Sequence, residues 1–576
     1  MTFKPTPQQR TIIDHEGAAF VSACPGAGKT RVMVERARRV LSSRPARVVA
    51  FLSFTQAAVT ELEVRLRSDG LFGHSAFPNY VGTFDSFLWQ FLLAPFGVPD
   101  VPDAPRLIPD LQSKVITPYP KAHPLPLECF DRAANSMLSI PARAKGFDTA
   151  TASPATIKRY EAAAANLRTA FRNKGLVDFD CVRDLAASRI ADASTGKAIG
   201  QALAGRFSEI VIDEAQDCNP RDLAIIEWLR AAGLRVMLVC DPEQAIYGFR
   251  GGVTDELIAF RGTFGSGDQL PLTGNFRSSQ NICNAIAALR SGAAGGAVDQ
   301  ALGSSKDDET PVYLLSYAGA AVSPKIGPRF AEIVAERKLT LHDCPLVAAT
   351  KQSSAAAIGQ PALPQSNSAT LNLAAHVTEF QFGFETGNTV HALEQLHRVV
   401  LRVEGHLRDQ TYHEYLVTSG LEKLTWRPRV LGIAKELKFD ASLEDAKTWL
   451  ARAQALLKPG LVGDGGTIGQ RLRYDAKLET VLAAPSASIP LVRTIHSVKG
   501  EEFPGVCVVM TKSSAKNILD CLETGLPLDV AEEARKIYVG ASRAQRLLVL
   551  AVPKALAPRL SLRLKTFNAT VVQEEI

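Results

Sequence analysis

The stretch "ACPGAGKT", residues 23–30, restricts the fold more than any other. It follows the apolar run "AAFVSA" (18–23) and precedes the amphipathic run "TRVMVERARRVL" (30–41), so a strand, a tight turn and a helix succeed one another. Gly26 and Gly28 let the backbone turn its N–H groups inward around phosphate oxygens, and a helix starting near Thr30 adds the positive end of its dipole. On that reading Ala23, Cys24, Pro25, Gly26, Ala27 and Gly28 form the cradle, Lys29 reaches the β- and γ-phosphates, and the Thr30 hydroxyl ligates Mg²⁺. The competing reading is a helix-opening turn that contains a lysine by chance. The motif G-x-x-x-x-G-K-[ST] has glycine where this chain has Ala23. As the last strand residue, that position needs a small side chain more than a positive φ.

Further short apolar runs alternate with helical stretches, the pattern of a parallel sheet with crossover helices. "RVVAFLSF" (47–54) is followed by the helical "QAAVTELEVRLR" (56–67), and "EIVID" (209–213), "RVMLVC" (235–240) and "QLPLTG" (269–274) read as strands of the same sheet. Runs apolar throughout suit strands covered on both faces. A second strand-rich block comprises "VYLLSY" (312–317), "CPLVAAT" (344–350), "IPLVRTIH" (489–496), "GVCVVM" (505–510) and "RLLVLAV" (546–552). Two stretches interrupt these blocks: 95–175, Pro-rich and then Ala-rich and helical, and 385–487, helical in pattern. The small, polar segment 353–370 reads as a loop. With 576 residues, 46% of them hydrophobic, the chain can build several cores, and an α/β class with two inserted helical subdomains is expected.

"VIDEAQD" (211–217) puts Asp213 and Glu214 at the end of an apolar strand, where carboxylates carry a desolvation cost. Asp213 can hold Mg²⁺ and Glu214 can orient and deprotonate an attacking water; the alternative is an acidic strand-end turn, a reading weakened by the phosphate loop upstream. A net charge of +6 permits a polyanionic partner without requiring one, so nucleic acid would be held by local Lys and Arg stripes. The nine cysteines form no C-x-x-C pair, which argues against a disulfide framework or zinc site and for a reducing compartment. The N-terminus lacks a signal-peptide pattern, and no apolar run approaches the roughly 18 residues of a membrane span. A cytoplasmic protein without membrane contact is expected.

Read together, these strings resemble the superfamily 1A DNA helicases of the UvrD/Rep/PcrA type. "TPQQR" (6–10) is similar to the adenine-reading motif, with Gln9 as the base contact, "ACPGAGKTR" to motif I and "FLSFTQAAVTEL" (51–62) to motif Ia. "VGTFDSF" (81–87) and "LVDFD" (176–180) have counterparts, and "VIDEAQD" resembles motif II. "VCDPEQAIYGFRGG" (239–252), "LTGNFRSS" (272–279), "TIHSVKGEEF" (494–503) and "EEARKIYVGASRAQ" (532–545) resemble motifs III to VI in order. The resemblance implies two RecA-like P-loop domains, 1–94 with 176–275 and 276–384 with 488–576, each with a parallel sheet and a mainly helical insertion, 95–175 and 385–487.

It further implies that ATP lies between the two domains. Arg277 and Arg543 would bridge γ-phosphate oxygens, Gln244 would couple the γ-phosphate to the rest of the protein, Phe276 and Arg31 would sandwich adenine, and Glu502 would contact ribose. Phe54, Thr55, Thr83, Phe249, Arg250 and His496 stand at single-stranded DNA positions, although Phe54, Phe249 and His496 are also compatible with core roles. Phe249 replaces the family's usual Trp, and Asp85 stands at a usual phosphate contact and is instead suited to capping the helix that follows. The implied activity is ATP-dependent 3′-to-5′ movement on single-stranded DNA with duplex unwinding, in repair, replication or defence, using ATP and Mg²⁺. The alternative is a UvrD-like subunit whose nucleotide state gates a partner such as a nuclease or repair factor. Single-stranded DNA, duplex junctions and such a protein are the expected partners.

Overall fold

Burial on both faces of the apolar runs explains the layers. In the computed structural model, which describes residues 3–43, 48–73, 75–246, 254–292, 298–359, 368–386, 389–407, 410–421, 423–463, 466–483 and 489–576, the first block forms a six-stranded parallel sheet. Its order is Gln269–Leu272, Ala19–Ala23, Val236–Cys240, Phe207–Ile212, Val48–Ser53, Tyr80–Thr83. The second block forms another, ordered Val492–Thr494, Leu346–Ala348, Phe503–Val509, Ala544–Pro553, Val312–Tyr317, Val571–Glu575. Successive residues of one strand enter different cores: Val506 and Val508 pack with Leu548 and Leu550, while Cys507 and Val509 pack with Val549 and Ala551 on the opposite face. Both faces are covered, which is why the strands read as continuous apolar runs. The expected α/β class with two RecA-like parallel sheets is the fold observed.

Helix Lys29–Ser43 is anchored by an ion pair with almost no solvent access. Arg36 and Glu209 are each 1% exposed. The Arg36 guanidinium donates to Glu209 Oε1 at 2.6 Å and to the carbonyls of Ile12 and His15 at 2.7 and 2.8 Å. It thereby joins helix Pro7–Asp14, helix Lys29–Ser43 and strand Phe207–Ile212.

Several local expectations are corrected. Strand 269–274 ends at Leu272, and Gly274–Asn275 pairs with Gln300–Ala301 in a separate ribbon. The run 489–496 is a strand only over Val492–Thr494, because the Thr494 hydroxyl accepts from Ser497 N–H and opens a 3₁₀ turn at Ile495–Val498. Of the loop expected at 353–370, the first part belongs to a helix, Lys351–Ala356, capped by Thr350; residues 360–367 lie outside the described residues. Thr83, not Asp85, caps Phe84–Phe87: its hydroxyl accepts from Ser86 N–H, while Asp85 sits in the first turn.

The chain separates into two compact units, Met1–Leu88 with Ala186–Ala362 and Ser486–Ile576, and Trp89–Leu185 with Leu363–Pro485. The first holds both sheets. In the second, the two inserted segments meet directly: Lys114 Nζ lies 2.8 Å from Glu414 Oε2, and the Thr411 hydroxyl donates to Asp110 Oδ1 at 2.7 Å. Helix Ala369–Thr386, ahead of the expected boundary at 385, contributes Leu373, Ala374 and Val377 to this unit's core beside Leu396, Val400 and the fully buried Trp449. Among the described residues no helix is long and apolar enough to cross a membrane.

Arg36→Met leaves the Glu209 carboxylate buried without its partner. The expected loss is about 3–5 kcal/mol, and Arg36→Met with Glu209→Leu recovers part of it. Urea unfolding of the intact chain followed by tryptophan fluorescence checks this; a single variant as stable as the double would contradict it.

Candidate active site

Strand Ala19–Ala23 delivers the glycine-rich turn to the carboxyl edge of the first sheet, where parallel α/β sheets bind their ligands. Gly26 and Gly28 have φ of +69° and +76°, the left-handed region that side chains disfavour. Space makes the same demand: a Cβ on Gly26 would lie 2.5 Å from Asn275 Oδ1 and 2.7 Å from Arg277 Cβ, and one on Gly28 would lie 3.2 Å from Gln9 Nε2. Phe276 N–H donates to Gly26 O at 2.7 Å, so the segment leading into the second sheet's half packs on the turn. Cys24 N–H donates to Leu272 O, and Ala23, Cys24, Pro25 and Ala27 are buried beneath. Gln9 is 1% exposed; its Oε1 accepts from Thr6 N–H while its Nε2 donates to Ala27 O at 3.2 Å. Gln9 is therefore braced against the turn.

Strand Phe207–Ile212 places two carboxylates beside the turn. Asp213 N–H donates to Leu52 O, which continues the ladder, and Asp213 Oδ1 is buried with no hydrogen-bond partner among the described residues. Glu214 has φ +55°, a strained backbone for a residue with a side chain. Its Oε1 is 3.4 Å from Lys29 Nζ and its Oε2 is 3.5 Å from Lys499 Nζ. Lys499, from the second sheet's half, also meets Asp217 Oδ2 at 2.7 Å. Burial raises Asp213 above the ordinary carboxyl value, the Glu214 charge raises it further, and Lys29 only partly opposes this. Burial also acts upward on Glu214, but Lys29, Lys499 and Arg543 outweigh it and hold that carboxyl low. Burial acts downward on Lys29, yet Glu214, Asp213 and Asp241 keep the ammonium strongly protonated.

Residues from the second sheet's half close the seam. Arg543 is 3% exposed and donates to Gln244 Oε1 at 2.6 Å, to Ser542 Oγ at 2.9 Å and to Val539 O at 3.1 Å. Burial and the neighbouring Arg277 charge lower its pKa to about 10. Arg277 donates to Glu502 Oε2 at 2.8 Å and to Ser542 O at 3.0 Å. Arg535 donates to Ala245 O at 2.7 Å. Phe276 is 37% exposed above Gly28, whereas Arg31 is held by Glu35 and Asp69 with its guanidinium 5.0 Å from the Phe3 ring centre.

The structure thus gathers Lys29, Thr30, Asp213, Glu214, Gln244, Arg277 and Arg543 around one seam. The residues read as DNA contacts have local roles. The Thr55 hydroxyl caps helix Gln56–Ser68, Thr83 caps the next turn, and the Phe54 ring stacks on Phe84 with centroids 5.3 Å apart. His496 Nε2 lies 3.2 Å from Ile246 O. Phe249 and Arg250 lie outside the described residues. Sequence reasoning missed Asp217, Asp241, Asn275, Lys499 and Tyr538, although each lies inside a motif string quoted above; Asp217 pairs with Lys499 and Asp241 with Tyr538 across different strings, whereas Asn275 accepts from Arg277 and Ser278 of its own string.

Asp213 binds a proton more readily folded than unfolded, so wild-type stability falls as pH rises from the ordinary value of 3.8 through the raised folded value. Asp213→Asn is therefore expected to be more stable than wild type at pH 8, by an amount that shrinks as the medium is acidified. Urea midpoints across pH in nucleotide-free buffer check the trend, and a pH-independent difference would refute it.

Two family models match the chain: the UvrD/REP helicase N-terminal domain over residues 5–265 and the UvrD-like helicase C-terminal domain over 474–555. The chain is similar to the ATP-dependent DNA helicase UvrD1 of Mycobacterium tuberculosis strain ATCC 25618 / H37Rv, 26% identical over 300 residues, which is 48% of this chain and 38% of the relative. It is similar also to the ATP-dependent DNA helicase PcrA of Staphylococcus aureus strain NCTC 8325 / PS 47, 26% identical over 295 residues, 49% of this chain and 39% of the relative. The match spans well under half the length of these curated relatives. With the N-terminal model covering Lys29, Asp213, Glu214 and Gln244 and the C-terminal model covering Lys499 and Arg543, the chain belongs to the UvrD/Rep/PcrA-type family of superfamily 1 helicases.

Proposed function

We propose that the protein hydrolyses ATP at this seam and uses the cycle to move 3′ to 5′ along single-stranded DNA and separate duplex. The observation that carries the reading is the Arg543–Gln244 hydrogen bond of 2.6 Å, which joins the second sheet's half to the first beside Lys29 and Glu214. Phosphoryl transfer needs positioning and charge stabilisation more than covalent chemistry from the protein. The glycine turn and Lys29 hold the phosphates, and Arg277 and Arg543 meet the charge that develops on the transferred group. Glu214, kept ionised by Lys29 and Lys499, accepts a hydrogen bond from the attacking water. When phosphate oxygens take over Lys29, the carboxylate loses its strongest opposing charge and becomes a better base.

A Mg²⁺ ion fits the donors present: Asp213 Oδ1, buried without a hydrogen-bond partner among the described residues, is a hard oxygen ligand, and the hydroxyl of Thr30, next to Lys29 in the chain, would be a second. When bound, the ion neutralises charge on the β- and γ-phosphate oxygens.

The family resemblance supports the direction of travel and the DNA substrate. Strand ends Ser53 and Thr83 pair in register, so Phe54, Thr55 and Thr83 share one edge of the first sheet and offer a ring and two hydroxyls to a strand crossing it. An ATPase that gates a partner such as a nuclease, in repair, replication or defence, is the second outcome the assays below separate.

Lys29→Ala is expected to remain folded and lose ATP hydrolysis, and Arg543→Ala to lower the DNA-stimulated rate by about 10³–10⁵. Steady-state ATPase assays with equal lengths of single-stranded DNA and RNA, then a tailed-duplex unwinding assay, test the reading. Full turnover by Lys29→Ala would sink the seam assignment. Stimulation appearing only with a co-purified partner would favour the gating role, and preference for RNA would displace DNA as substrate.

A further inference from the structure

Asp241 follows strand Val236–Cys240, is 3% exposed, and gathers three donors on its carboxylate. Oδ1 accepts from Glu243 N–H at 3.1 Å. Oδ2 accepts from Gln244 Nε2 at 2.7 Å and from the Tyr538 hydroxyl at 3.3 Å. The tyrosine comes from helix Ala531–Ala541 of the second sheet's half and is 1% exposed. The Asp241 N–H donates to Gln216 Oε1 at 3.1 Å, and the Gln216 amide donates to Glu214 Oε2. A continuous polar chain therefore runs from Glu214 through Gln216 and Asp241 to Gln244 and Arg543.

The chemistry of its members fixes its direction. A carboxamide can present either its oxygen or its nitrogen to a neighbour, whereas an ionised carboxylate only accepts and a guanidinium only donates. Asp241 on one side forces the Gln244 nitrogen toward itself and leaves the oxygen for Arg543. The orientation holds only while the Asp241 carboxylate stays in place. A phenylalanine would fill the volume of Tyr538, so the hydroxyl is the part that addresses Asp241. Burial, reinforced by the Asp241 charge, holds this phenol well above its ordinary pKa, which keeps it a donor. Arg290, paired with Asp299, places its guanidinium carbon 5.9 Å from the Tyr538 ring centre.

We propose that Tyr538 is a positioning residue for hydrolysis: its hydroxyl fixes the Asp241 carboxylate, which orients the Gln244 carboxamide so that Arg543 is held at the seam. The inference rests on the ATPase reading above and adds to it a residue that is itself 1% exposed and acts through Asp241 and Gln244.

The test compares wild type, Tyr538→Phe, Gln244→Ala and the double variant in single-strand-stimulated ATPase kinetics, with Tm measured on each protein. Tyr538→Phe should lower kcat about tenfold with KM for ATP within about twofold, since the lost bond orients a group acting in the transition state. Its Tm should stay within a few degrees, and the double variant should be no slower than Gln244→Ala. Wild-type kcat in Tyr538→Phe, a change confined to KM, multiplicative losses in the double variant, or a Tm drop exceeding about 10 °C would each overturn the inference. The last of these would mark Tyr538 as a packing residue. Absence of turnover in wild type would overturn the ATPase reading, and this inference with it; the other outcomes leave that reading standing.

Discussion

Opposite charges shut away from water hold the centre of this molecule. Lys29 faces Glu214, and Lys499 faces both Glu214 and Asp217, with the Lys499 and Asp217 side chains only 4% and 3% exposed. Each ion on its own would cost several kcal/mol to desolvate, and the facing opposite charges offset that cost, with Lys499 able to face Glu214 as well as Asp217. The members of this cluster come from separate parts of the chain: the glycine-rich turn, the end of strand Phe207–Ile212, and the loop before strand Phe503–Val509. Docking the second sheet's half on the first is therefore what neutralises the site. A ligand bringing negative charge to Lys29 would alter the same balance.

The loop geometry follows from this arrangement. Asn275, Phe276 and Arg277 run directly over the glycine turn, with Asn275 Oδ1 accepting from the N–H groups of Arg277 and Ser278 at 2.8 and 2.9 Å. Glycine at 26 and 28 lets this segment approach. Arg277 can then reach the Ser542 carbonyl and come beside Arg543, where the two like charges oppose each other.

The second unit is assembled from insertions far apart in sequence. The backbone passes between the two units four times, yet the inserted segments share contacts such as Lys114 with Glu414 and Asp110 with Thr411. Its helices surround Trp449, whose indole N–H donates to Leu437 O at 2.8 Å. A core of its own lets this unit be ordered without taking side chains from the sheets.

The sequence by itself determined the two parallel sheets and the placing of the turn, because strands buried on both faces must be apolar throughout and leave that mark in one dimension. Gly26, Gly28, Lys29, Asp213 and Glu214 were legible as a group only because their two motif strings are read together; local chemistry marks each string, and the 3.4 Å approach of Lys29 to Glu214 comes from the fold. Strand ends set by caps, as at Thr494, were less legible because a hydroxyl competes with the ladder over a single residue. Only the tertiary structure decided that Lys499 meets Asp217, that Glu502 pairs with Arg277, that Tyr538 reaches Asp241, and that both insertions form one unit. Those contacts depend on which strand edges face each other across a seam, and hydrophobic periodicity carries no information about the partner of a polar side chain hundreds of residues away.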